Sequence, residues 1–474
     1  MSPLPRILLV TLGAALISAC AVGPNYHRPA ADTGTAFKEL GDWKPSEPAD
    51  TLDRGPWWQI FKDPVLEQLE QQIDVSNQTL KAAVDAYRQA EALVKQSEAG
   101  FWPTITGSAG HTRQQGQTVQ GAPAGTSTLS SVYSAGASAS WELDVWGAVR
   151  RTVESNSAAA QSSAAAVAGT RLLEQATLAS DYFQLRAQDE LKRILDQTVE
   201  DEQKSLKITQ NQYAVGVAAK ADVVTAQTQL LASQAQQINA GILRATLEHA
   251  IAVLVGQVPS AFAIAPVATM PSEVPTVPVG LPSALLERRP DVAEAERKMQ
   301  SENALIGVAI SAYFPSLTLA GSASYQSSTL SNLISASNRV WSFGPELAVS
   351  LFDGGLRRAQ TAQARAVYDQ SVDNYRQTVL TAFQQVEDDL ATLRILEQQS
   401  VVEDETVKMA KEAERLVLNQ YKAGTVPYSS VITAQNTTFS AEQTALTVLQ
   451  TRLTTSISMI EAIGGGWSTQ QSPR

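Results

Sequence analysis

The chain has one cysteine, three histidines and few aromatics, and it has no cluster of basic residues. Each shortage excludes something. Cys20 alone makes no intrachain disulfide and no thiolate metal cluster. His27, His111 and His249 lie far apart, with none at the i, i+4 spacing of a helical metal site. Thirty-six basic residues against 47 acidic give a net charge of −11, so no phosphate-binding stripe exists and nucleic acid is not an expected partner. The run Gly464-Gly465-Gly466-Trp467 lacks the Lys and Ser/Thr of a phosphate loop. The acidic run Glu387-Asp388-Asp389 falls in a helical stretch and reads as a solvated face. Nothing points to catalysis, to a metal or to a bound cofactor. Beyond the N-terminus no stretch is apolar for about eighteen residues, so any membrane crossing falls to strands.

What the sequence does hold is a duplication. Asn211 to Gln227 and Asn419 to Gln435 share Asn, Gln, Tyr, Gly, Val, Thr, Ala and Gln at identical offsets. Gly216 and Gly424 follow Tyr213 and Tyr421 by three residues, between long stretches of helical composition. Glycine there suits the left-handed residue after a last helical turn. Pro427 fits the first turn of a new helix. Each copy therefore reads as the tip of a helical hairpin. The interval from tip glycine to closing glycine is the same in both halves, Gly216 to Gly256 and Gly424 to Gly464, which marks a repeated unit.

The N-terminus accounts for the cysteine. Arg6 precedes an apolar run from Ile7 to Ala19, too short to span a bilayer, which ends Leu16-Ile17-Ser18-Ala19-Cys20. This resembles a lipoprotein cleavage box in which Cys20 becomes the lipidated first residue, carrying diacylglycerol and an N-acyl chain. The plainer alternative is an ordinary signal peptide with an incidental cysteine. Residues 1–19 are the leader and 20–62 an extended, Pro- and Gly-dotted segment.

Residues 63–256 form the first repeat: a helix over about 65–99 started by Asp63-Pro64, strands near 105–114 and 132–143, a helix over 149–214, the tip, and a helix over 220–255. Strands of such small and polar residues also suit a surface hairpin. A proline-rich connector, 257–282, precedes the second repeat, 283–464, with helix 283–312, strands 317–326 and 341–352, helix 356–422, the tip, and helix 427–463; residues 465–474 form a tail. Leu347, Val349 and Leu351 share one face of the last strand. Val379, Phe383, Val386, Leu390 and Leu393 are spaced as a coiled-coil seam. The two long helices are each on the order of 100 Å, and two shorter helices end to end match each of them. Four strands cannot close a barrel, for which roughly eight is the minimum, and an open sheet in lipid leaves unpaired edges. The expected fold is mainly α with a small β part, each chain giving four strands to a shared barrel.

These residues resemble the TolC-like outer-membrane efflux channels, in their lipoprotein branch, over nearly the whole mature chain. The resemblance rests on Cys20-Ala21-Val22-Gly23-Pro24-Asn25-Tyr26-His27-Arg28-Pro29, on Pro56-Trp57-Trp58 with Phe61-Lys62-Asp63-Pro64, on Leu286-Glu287-Arg288-Arg289-Pro290-Asp291-Val292, on Leu351-Phe352-Asp353-Gly354-Gly355 and on the tips. It implies a homotrimer with a twelve-stranded barrel in the outer membrane and a long α-helical barrel in the periplasm. It further implies export of drugs and other small toxic compounds handed over by a periplasmic adaptor and an inner-membrane pump of the RND type. The duct of a type I protein-secretion system and a structural coiled-coil lipoprotein are the alternatives. Tyr213, Gly216, Asp222, Tyr421, Lys422, Gly424, Ser430 and Thr433 become the expected gate and adaptor-contact residues. Many relatives line the second tip with acids; here the matching Val426, Ser430 and Thr433 are uncharged. Closure is therefore expected from Tyr421 packing and from a pair of Asp222 with Lys422, between or within protomers, although Asp222 also suits a plain helix N-terminus.

Overall fold

The computed structural model describes residues 21–29, 38, 56–117, 127–267, 270, 274–275, 277 and 289–465. The leader, Cys20 and the tail beyond residue 465 lie outside the described residues, as does part of the connector. The elements are α1 (Pro64–Ser76), α2 (Gln78–Glu98), β1 (Thr104–Gln117), β2 (Ser127–Leu143), α3 (Ala148–Ala214), α4 (Lys220–Leu254), α5 (Pro290–Ser311), β3 (Ser316–Ser327), β4 (Arg339–Ala348), α6 (Leu356–Lys422) and α7 (Tyr428–Ala462). The helices α3 and α6 are each 67 residues long, and α4 and α7 are each 35. Contacts divide the chain into two compact units, one of residues 1–30, 87–163 and 295–375, the other of residues 31–86, 164–294 and 376–474.

The first unit holds one antiparallel sheet in the order β1-β2-β3-β4. Its two strand-to-helix corners are built alike. Asp144 accepts from the backbone N–H of Val149 and Arg150 and from the Arg150 guanidinium, and Asp353 accepts from Gly355 N–H and Arg357. Each carboxylate thus occupies the orphan donors of a long helix's first turn. Against the start of α3 lies residues 21–29. Val22 N–H donates to Trp146 O at 3.1 Å, and Arg151, only 4% exposed, donates to Val22 O, Gly23 O and Asn25 Oδ1. Gly23 has φ +100° and a Cβ there would stand 2.5 Å from Gly307 Cα, so only glycine fits. Farther along, Arg28 donates to Tyr375 Oη and pairs with Glu296 at 3.5 Å.

In the second unit the helix expected over 65–99 is broken. Asn77 takes an extended conformation between α1 and α2. Its Oδ1 accepts from Leu80 N–H and its Nδ2 donates to Leu254 O, while Ser76 Oγ donates to Val255 O. One asparagine thus caps α2 and satisfies a carbonyl left open at the end of α4. Arg289, just before α5, does the same for the end of α7 by donating to Ala462 O at 2.8 Å. Asp63 starts α1 as its composition predicts, accepting from Val65 and Leu66 N–H with Pro64 at the first helical position, and its second oxygen accepts from Tyr182 O–H at 2.6 Å. The helix after the second tip begins one residue later than expected, with Pro427 as N-cap. Val386, Leu390 and Leu393 of the seam are buried with Met459 and Ile460, with Phe383 packed beside them, and Val379 is buried as well.

The acidic run is not the uniformly solvated face its composition suggests. Asp389 is half-buried, and burial pushes its carboxyl up to about 6, against a hydrogen bond from Ser458 and with help from Asp388 and Glu461. Because the folded value stands above the ordinary 3.8, the native state holds this proton more tightly than the unfolded chain. The resulting stabilisation is complete at pH below the ordinary value and is lost as pH rises through about 6. Asp389→Asn is therefore expected to flatten that loss and to raise the unfolding midpoint at neutral pH. Thermal unfolding across the acidic range checks it; parallel profiles for the two proteins would refute it.

Candidate channel site: the hairpin tips and the two-faced sheet

Both tips close with the same hydrogen bonds. Gly216 N–H donates to Tyr213 O and Val217 N–H to Gln212 O; in the second copy Gly424 N–H donates to Tyr421 O and Thr425 N–H to Gln420 O. This is the paired arrangement that ends a helix through a left-handed residue, and the glycines supply it with φ of 77° and 72°.

The equivalent tyrosines meet different fates. Tyr213 is 46% exposed with Lys220 Nζ 5.6 Å from its ring centroid, whereas Tyr421 is 5% exposed. Tyr421 packs on Tyr428 with ring centroids 5.3 Å apart, in a cluster with Ala226 and Val431. Its hydroxyl is 2.9 Å from Thr209 Oγ1, and its carbonyl accepts from Gln212 Nε2. It therefore ties the second tip to the end of α3. Burial pushes its phenol up, with the Asp222 charge a smaller contribution and the Thr209 hydrogen bond opposing.

The expected Asp222–Lys422 pair does not form within the chain. Asp222 instead turns back to accept from Ala219 N–H at 3.1 Å, half of a capping box whose other half Ala219 has no oxygen to supply. Lys422 is exposed in the last turn of α6, where a cation suits the helix dipole. Ser430 is half-buried, its backbone N–H donating to Pro427 O, and exposed Thr433 donates its hydroxyl to Ser429 O. Residues that the sequence reading passed over complete the cluster. Tyr428, 2% exposed, stands in the repeat where the first copy has Lys220, a visible departure. About three turns back from the tip, buried Glu202 accepts from Gln229 and Ser233, and burial raises its carboxyl despite both bonds.

The register divides the sheet into two chemistries. One face carries Ile105, Trp141, Leu319, Trp341, Phe343 and Leu347; the opposite face carries Thr106, Ser138, Thr318, Ser322, Ser342 and the carboxylates Glu142 and Glu346. Val349 and Leu351, expected on the strand with Leu347, lie past the end of β4. Within the chain β1 and β4 each keep one unpaired edge. Trp341, Phe343 and Leu347 are about 70% exposed.

A sheet apolar on one face and polar on the other, joined in one chain to duplicated helical hairpins, defines a subunit of a membrane channel. The chain belongs to the outer membrane efflux protein family, which it matches over residues 69–257 and 281–465. It is 30% identical over 471 residues to the probable efflux pump outer membrane protein TtgC of Pseudomonas putida, covering 98% of this chain and 96% of that one. It is 27% identical to the cation efflux system protein CusC of Escherichia coli, covering 98% and 99%. Among solved structures, the outer-membrane channel OprN superposes with a TM-score of 0.87 at 28% identity, over 94% of this chain and all of that one. The open MtrE channel of Neisseria gonorrhoeae superposes at 0.80 and 26% identity, over 94% and 98%. The protein is thus a transport duct of the bacterial outer membrane with a periplasmic helical part, and it is not an enzyme.

Proposed function

We propose that three copies close one twelve-stranded barrel and that the trimer is the passive exit duct of a tripartite pump. The observation that carries this is the sheet itself: two chemical faces and two open edges, in a chain with too few strands to close alone. The apolar face meets lipid and the Ser/Thr face lines the lumen. The hairpin tips form the periplasmic gate and the contact for an adaptor, which passes on small toxic compounds from an RND-type pump. Relatives are named for antibiotic, toluene and cation efflux, so a duct tolerant of cargo fits them. Opening is a population shift in which the adaptor binds the splayed tips better than the closed ones. Native mass measurement and planar-bilayer recording test the reading together. A trimer with ion conductance is expected; a monomer, or a trimer that does not conduct, would overturn it.

Cys20 is proposed to carry acyl chains that add to the anchoring by the barrel, each buried CH₂ contributing about 0.8 kcal/mol. Its support is that Ala21 is seated on Gly147 at the β2–α3 corner, where a Cβ on residue 147 would come 2.8 Å from Ala21 Cα. Intact mass of the mature protein should show the added chains, and an unmodified Cys20 would refute them.

A further inference from the structure

All the cations of the sheet lie on one face and near one end. The residues Arg113 on β1 and Arg339 on β4 share the face of Ile105 and Phe343, and His111 stacks on Tyr133 there with ring centroids 4.3 Å apart. Both carboxylates of the sheet lie on the other face, where Glu142 and Glu346 flank Thr318 near the strand bases. Neither arginine therefore has a counter-charge on its own face of the sheet.

The level of these residues is shared across the strands. Arg113 stands nine residues beyond Thr104, where β1 begins, and Arg339 nine residues from Ala348, where β4 ends. Between them Tyr133 stands ten residues from Leu143 on β2, and Tyr325 nine from Ser316 on β3. At about 3.3 Å per residue and a tilt of roughly 40°, nine residues lift the belt about 23 Å from the strand bases. An apolar band of a membrane barrel is about 25 Å tall, and every residue of this face between base and belt is uncharged. The belt thus falls at the far boundary of the band, on the side of the hairpin loops.

An exposed guanidinium at that boundary meets whatever headgroup the outer leaflet presents. Guanidinium forks match phosphate oxygens in two parallel hydrogen bonds, and the neighbouring tyrosines give an amphipathic surface for the acyl–headgroup junction. We infer that the Arg113–Arg339 belt is a binding surface for phosphate-bearing lipid headgroups of the outer leaflet. This rests on the lipid-facing assignment of the apolar sheet face made above.

The test uses the full-length protein in detergent, with lipid A carrying both phosphates, dephosphorylated lipid A and inorganic phosphate as probes, read by native mass spectrometry. Wild-type protein should hold the phosphorylated lipid at least fivefold more tightly than the dephosphorylated one, since each surface arginine contributes about fivefold toward an anionic lipid. The double variant Arg113→Gln, Arg339→Gln should lose about tenfold or more by the same measure, and Arg113→Lys, Arg339→Lys should keep most of the binding. Equal affinity of wild type for the two lipids, or of wild type and the double glutamine variant for the phosphorylated one, would overturn the inference. Displacement of the lipid by millimolar inorganic phosphate would also overturn it, in favour of a free-anion site. The wild-type comparison stands even if a variant fails to fold. Conductance in neutral phosphatidylcholine bilayers separates the premises: no insertion there sinks the barrel reading, whereas normal conductance without phosphate discrimination sinks only the belt.

Discussion

Arg151→Ala is expected to free the N-terminal segment from the base of the sheet and to destabilise the protein by about 2–4 kcal/mol. The Arg151 guanidinium is buried and directs its donors to Val22 O, Gly23 O, Asn25 Oδ1 and Glu154. Truncation leaves two backbone carbonyls without that partner in a place shaped for it, and lost partners of a buried charged donor are among the costlier deletions. Arg151→Lys should recover little, because a single ammonium cannot reproduce the planar fork. Denaturant midpoints measure the first effect. Limited proteolysis followed by mass measures the second, as new cleavage within residues 21–29. An unchanged midpoint with an unchanged cleavage pattern would show that the segment is held by other contacts, such as Arg28 with Tyr375 and Glu296. This segment holds Ala21 against Gly147 at the β2–α3 corner, so its release would remove that seating.

Tyr421→Ala is expected to open the proposed gate, raising conductance several-fold over wild type in planar bilayers. Removing a buried aromatic ring costs about 3–5 kcal/mol, and here the ring joins the second tip to Tyr428 and Thr209. Tyr421→Phe keeps the ring and removes one hydroxyl contact worth about 1 kcal/mol, so its conductance should stay near wild type. Lys422→Glu is expected to do little. The lysine is exposed, Asp222 is occupied as a capping acceptor, and exposed pairs contribute only about 0–1 kcal/mol. Three variants with wild-type conductance would place the constriction elsewhere. A gain in Lys422→Glu larger than in Tyr421→Ala would instead indicate a pairing of that lysine between protomers.

The sequence by itself determined the duplication, the two long helices, the four strands and the glycines that end the hairpins. Those features are written in local terms: 3.6-residue and two-residue periodicity, and the need for glycine where φ is positive. The same local terms led astray at Asn77. A polar residue in a helical composition reads as more helix, and the break there depends on Leu254 and on α4's open end, which are remote in sequence. Composition likewise marked Asp389 as solvated, because what covers it comes from α7. The tip shows the division most sharply. Tyr213 and Tyr421 are the same letter at the same offset of one repeat, yet only Tyr421 finds Tyr428 and Thr209 across the hairpins. Strand register had the same status: alternation predicted strands, but only the pairing of β1 through β4 aligned Trp141, Leu319 and Phe343 on one face and put both arginines on that same face. Local order follows from neighbours in the chain, and partners are decided by packing between segments hundreds of residues apart, where contact energy rather than periodicity selects the neighbour.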